Sequence, residues 1–77
     1  MSYKEQREYE TIDARMEELQ KKLGDIDAQI EQNASDFVRL TELTAQRAQT
    51  EQELAQAEER WLYLTDLHER IEAQKNG

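Results

Sequence analysis

The sequence predicts an all-α fold, an antiparallel two-helix coiled-coil hairpin, on three observations. Tyr9, Ile12, Met16, Leu19, Leu23, Ile26 and Ile30 step 3-4-3-4-3-4 without a slip, the spacing that keeps one stripe of a helix against a partner helix. Leu40, Leu43, Arg47, Thr50, Leu54, Ala57, Trp61, Leu64, His68 and Ile71 keep the same step through the second half. Between the two runs, Asn33-Ala34-Ser35-Asp36 is the one interior cluster of turn-favouring residues. A strand needs apolar residues at every second position, and no stretch supplies them. The mean step of about 3.5 residues falls just short of the helical ~3.6, which asks for a left-handed supercoil.

Residues 1–77 are read as one domain. Ser2-Tyr3-Lys4-Glu5 has the S-x-x-E form of a capping box, so helix one is expected over about 3–32. Gly24 falls inside it on an outward position, where a Gly costs about 1 kcal/mol relative to Ala. The stripe continues through Ile26 and Ile30, so Gly24 reads as a weak spot and not a boundary. In the turn, 33–36, Asn33 is expected to take the left-handed conformation that ends a helix, and Ser35 or Asp36 to cap the next one. Helix two is expected over about 36–74, with Gln74-Lys75-Asn76-Gly77 fraying or stopping it. So short a loop makes the helices antiparallel neighbours.

Two registers satisfy the pattern. One sets Leu23 against Leu43 and Ile12 against Leu54, with Glu8–Arg60 and Arg15–Glu53 as attractive flanking pairs, but strands Leu67 and Ile71 beyond helix one. The other sets Ile30 against Leu43, Leu19 against Leu54, Ile12 against Trp61 and Tyr9 against Leu64, and brings Ile71 to the start of helix one. Exposed ion pairs contribute about 0.2–1 kcal/mol, whereas burying a Leu or Ile contributes about 1.5–3. Burial favours the second.

Composition narrows the function classes. Hydrophobic and charged residues each make up 36%, with no Pro, and that balance with this periodicity is typical of long coiled-coil helices. Eighteen acids against ten bases give a net charge of -8, which disfavours non-specific attraction to phosphate or an anionic membrane but leaves room for a local basic face. Without Cys there is no disulfide or thiolate metal site. No apolar run approaches the ~18 residues of a membrane span, and no signal-peptide core is visible, which points to a soluble, cytoplasmic protein.

No catalytic constellation is expected. Two glycines cannot build a phosphate-cradling loop, and His68 has no second His or Cys to complete a zinc site. His68 falls on the seam, where a half-buried structural role is the expectation. Glu17-Glu18 and Glu58-Glu59 sit at adjacent helical positions, about 100° apart, and cannot converge on one substrate. Arg47 and Thr50 interrupt the seam, as residues that set register do. The fragment is read as no enzyme, with no catalytic, cofactor or metal residues.

Ser2-Tyr3-Lys4-Glu5-Gln6-Arg7-Glu8-Tyr9-Glu10 resembles the opening motif of the C-terminal coiled-coil domain of ABC-F ATPases, soluble tandem-cassette proteins of the Uup and YfmR type. Glu59-Arg60-Trp61-Leu62-Tyr63-Leu64 is similar to the E-R-W-x-x-L element of that domain's second helix, and Ser35-Asp36-Phe37 to its S-D-F turn. The resemblance implies a domain whose two ATP-binding cassettes lie outside this sequence, with ATP and Mg²⁺ belonging to those cassettes and no cofactor to this fragment. It also implies action on ribosomes or in translation quality control, and association of this domain with DNA.

For nucleic acid, helix one is the better candidate. Arg7 and Lys21 share its outward face, Lys4 lies near the same end, and Arg15 and Lys22 flank the seam; Lys4, Arg7, Lys21 and Lys22 are the expected contacts. Tyr3, Trp61, Leu62 and Leu67 are expected to form an apolar patch at the hairpin's open end. The leading expectation is thus an interaction module that touches DNA or ribosomal RNA and the cassettes of its parent. The alternative is a self-associating coiled coil, a homodimer joined through the open end.

Overall fold

The computed structural model describes residues 2–76. Two helices make up the chain, α1 over Tyr3–Gln32 and α2 over Phe37–Asn76. They pack side by side into a rod of 61 × 17 × 14 Å, and the described residues contain no strand. The two-helix hairpin read from the heptads is the fold.

Local chemistry sets the ends. Ser2 is extended at φ -73, ψ 165, its Oγ accepts from the Glu5 amide at 3.2 Å, and Glu5 Oε1 accepts from the Ser2 amide at 3.2 Å. That reciprocal pair satisfies two donors that the first turn otherwise leaves open. At the other end Asn33 differs from expectation. It sits at φ -113, ψ 28, outside the left-handed region, and donates from Nδ2 to the Gln29 carbonyl at 2.7 Å. The side chain thereby satisfies a terminal carbonyl, and no left-handed residue is needed. The Asp36 amide then closes a turn onto the Asn33 carbonyl at 2.9 Å, and Asp36 Oδ1 caps α2 by accepting from the Arg39 amide at 3.1 Å. α2 runs two residues past its expected end, and Gly77 lies outside the described residues.

The core is a single seam. Ile12, Leu19 and Ile26 of α1 and Leu43, Ala57 and Leu64 of α2 are buried, with Leu43 and Leu64 fully enclosed. Thr50, 1% exposed, is tolerated there because its hydroxyl donates to the Gln46 carbonyl at 2.8 Å. Arg47 starts on the seam but carries its guanidinium out to Asp27 at 2.6 Å and to Glu51.

Contacts across the seam fall between the two registers: Tyr9–His68 and Asp27–Arg47 lie nearer the second, while Glu8–Arg60, Gln29–Arg39 and Glu5–Tyr63 lie nearer the first. The second register sets Tyr9 level with Leu64, and the stacked partner of Tyr9 is His68, one turn or ~6 Å further along. The first sets Tyr9 level with Ala57, about 16 Å short of His68. Arg47 likewise belongs level with Ile26, beside Asp27. The Glu8–Arg60 ion pair, at 2.7 Å, forms all the same. Glu8 and Arg60 stand about 3 Å from level in the first register and about 7 Å in the second, and Gln29–Arg39 and Glu5–Tyr63 share that offset.

Candidate nucleic-acid interface

A coiled coil has two flanks beside its seam, and here the contacts identify them. Residues just before Tyr9, Met16, Leu23 and Ile30 lie on one flank, and those just after Ile12, Leu19 and Ile26 lie on the other. Glu8–Arg60 at 2.7 Å and Arg39–Gln29 at 3.2 Å bridge the first flank. Arg47, with Asp27 and Glu51, bridges the second.

The two flanks carry opposite charge. On the first, α1 places Lys4, Arg15 and Lys22, with Arg7 and Lys21 along its outer edge, and α2 places Arg39, Arg60 and Arg70. On the second, α1 places Glu10, Asp13, Glu17, Asp27 and Glu31, and α2 places Glu51, Glu58, Glu69 and Glu72. Among the described residues, the one cation that a salt bridge brings to this acidic flank is Arg47. The net charge of -8 is therefore distributed unevenly, and much of the excess sits on one side of the rod.

The bases differ between the helices as well. Arg39, Arg47, Arg60 and Arg70 of α2 each hold a carboxylate. Lys4, Arg7, Arg15, Lys21 and Lys22 of α1 are exposed and form no salt bridge among the described residues. All five follow one side of α1 over ~27 Å of helix, at ~1.5 Å per residue. Glu18, Asp25 and Glu53 interrupt that flank, while its other acids, Glu8 and Glu42, are taken up by Arg60 and Arg39.

Two open grooves follow the basic flank. One, of about 230 Å³, has Ile12 and Ala57 for a floor and Arg15, Glu53, Gln56 and Arg60 among its walls. It exists because Ala57 is the smallest residue on the α2 seam. The other, of about 430 Å³, lies over Thr50 and is lined by Lys22, Gln46, Gln49 and Glu53. At the open end, Arg60 lies over the Tyr63 ring at 4.8 Å, and the Tyr63 hydroxyl donates to Glu5 Oε2 at 3.0 Å. Hydrogen bonds from the Ser2 amide, then from Tyr63, hold the Glu5 carboxyl below its usual range; the same carboxylate raises the Tyr63 phenol. Glu8 raises Arg60, so that guanidinium stays charged.

The expected apolar patch divides. Tyr3 and Leu62 are exposed, Trp61 and Leu67 half-buried. Leu62 and Leu67 are five positions apart, about 140° around a helix at ~100° per residue, so they face opposite flanks. Sequence reasoning gave no role to the apolar surface at the closed end, where Phe37 is 81% and Val38 69% exposed. Its signal was available: both residues precede Leu40, the first seam position of α2. No group of His, Asp or Glu among the described residues is arranged to hold a metal ion, and no helix is long and apolar enough to cross a membrane.

Two comparisons place the chain among known sequences. Residues 1–66 match the family model described as ABC transporter C-terminal domain. The chain is 36% identical over 73 residues to the "Uncharacterized ABC transporter ATP-binding protein YfmR" of Bacillus subtilis (strain 168). That alignment covers 95% of this chain and 12% of the relative, so the chain spans about an eighth of that protein's length. No solved structure matches.

Proposed function

The chain belongs to the ABC transporter C-terminal domain family, of the ABC-F-like kind, and from that membership we propose that it is a non-catalytic interaction module whose basic flank lies against the phosphate backbone of a nucleic acid. It is the C-terminal domain and not an ATPase cassette. ATP and Mg²⁺ are assigned to the cassettes of the longer parent, a soluble cytoplasmic ATP-binding protein, and the hairpin serves that protein as a rigid arm toward DNA or ribosomal RNA.

One observation carries the reading: five bases of α1, free of salt bridges among the described residues, line one side of a rod whose other side is acidic. Bases already neutralised by carboxylates have little to offer a phosphate, whereas unpaired ones release counterions when they meet it. The acidic flank repels the same polyanion, so docking is one-sided.

The test is binding of short DNA and RNA across a salt series. If all five α1 bases engage, the log–log slope against salt approaches about -4 to -5 on duplex. Replacing Lys4, Arg7, Lys21 and Lys22 together by Glu abolishes binding. Unchanged binding after that replacement rules out this flank.

A further inference from the structure

We propose that the groove floored by Ile12 and Ala57 receives an unpaired nucleobase, so that the basic flank holds single-stranded nucleic acid in preference to duplex; this rests on the flank being the nucleic-acid interface. The groove lies on the flank that carries the unpaired α1 bases, and Arg15 belongs to both. Phosphates drawn to that flank bring their bases to the groove's mouth.

The lining suits a base more closely than it suits a phosphate. The floor is apolar, and Arg15 and Arg60 supply guanidinium planes, which stack on unpaired bases as aromatic rings do. Arg60 is fixed between Glu8 and the Tyr63 ring, so it forms a pre-set wall. Glu53 forms no salt bridge among the described residues, its Oε1 accepts only a long hydrogen bond from Gln49 Nε2 at 3.5 Å, and Gln56 stands beside it. A carboxylate there repels phosphate but accepts from an exocyclic amine, which cytosine and adenine carry and uracil and thymine lack. The groove's volume of about 230 Å³ is on the scale of one planar base. Because the floor is recessed between the helices, only a base splayed out of a strand reaches it.

Fluorescence anisotropy at fixed salt, on the full chain, tests this with oligomers of one length: poly-C, poly-A, poly-U, the duplex, and the abasic backbone, each as DNA and RNA where the chemistry allows. C and A oligomers are expected to bind about tenfold more tightly than the abasic strand, with U between them. Ala57→Met fills the groove without changing charge; it brings the C and A oligomers down to the abasic value and leaves the salt slope unchanged. Glu53→Gln reduces the preference for C and A over U. If the unmodified protein binds the abasic strand as tightly as the base-bearing ones, the groove proposal fails while the flank reading stands. If it binds none of the strands, the flank reading fails and takes the groove proposal with it.

Discussion

Tyr9 and His68 lie ring on ring, centroids 4.7 Å apart and planes 19° from parallel, and this contact joins the start of α1 to the last third of α2. An aromatic pair of this kind contributes about 0.5–1.5 kcal/mol beyond burial. A double-mutant cycle with Tyr9→Ala and His68→Ala therefore shows a coupling of that size in denaturant unfolding. Coupling near zero contradicts the register in which these rings meet.

Burial ranks the leucines of α2. Leu64 is fully enclosed and Leu62 is 61% exposed, two positions away on the same helix. Leu64→Ala costs about 2–5 kcal/mol, whereas Leu62→Ala stays within about 0.5. Equal effects in thermal melts count against the seam.

Gly24 is a place to gain stability. A Cβ added there meets nothing within 4 Å, and its φ is not positive. Gly24→Ala stabilises by about 0.4–1 kcal/mol, chiefly by restricting the unfolded chain. The midpoint of thermal unfolding rises by roughly 2–8 °C.

The Glu5–Tyr63 clasp has a pH window with two edges. Glu5 is lowered, so its stabilisation is present above its unfolded value, ~4.3, and is lost as pH falls through the folded value. Tyr63 is raised, so its share is complete below ~10 and is lost as pH rises through the folded value. Melting temperatures of the parent and Tyr63→Phe differ most between those edges and converge at the alkaline end. A difference independent of pH shows that the bond does not contribute.

Leu62 and Leu67 face opposite flanks, so the two do not join in one apolar surface, which disfavours pairing of two hairpins through both. Sedimentation at increasing concentration gives a monomer throughout. Concentration-dependent dimers favour the self-associating coiled coil.

Much of this was legible in the sequence because heptads and caps are local. The 3-4 step fixed both helices, Ser2 and Glu5 announced the first cap, and Asp36 the second. Asn33 misled because its side chain offers two ways to end a helix, and it satisfies the Gln29 carbonyl instead of turning left-handed. Spacing alone did not give the register, since Glu8–Arg60, a pair of the first alternative, forms alongside Tyr9–His68, which lies nearer the second. Heptad position alone sorted bases from acids along α1, yet the joining of its basic side to the Arg39, Arg60 and Arg70 side of α2 needed the contacts across the seam. The Ala57 groove was written as a small residue on the seam, but its opening depends on what stands opposite, and sequence spacing does not give that.

An amide-resolved NMR titration with a short oligonucleotide tests the central claim most directly. Shifts are expected along Arg7, Arg15, Lys21 and Lys22 and at Gln46, Gln49 and Gln56, with Asp13, Asp27, Glu51 and Glu58 unmoved. Shifts concentrated on the acidic flank, or spread evenly around the rod, contradict it.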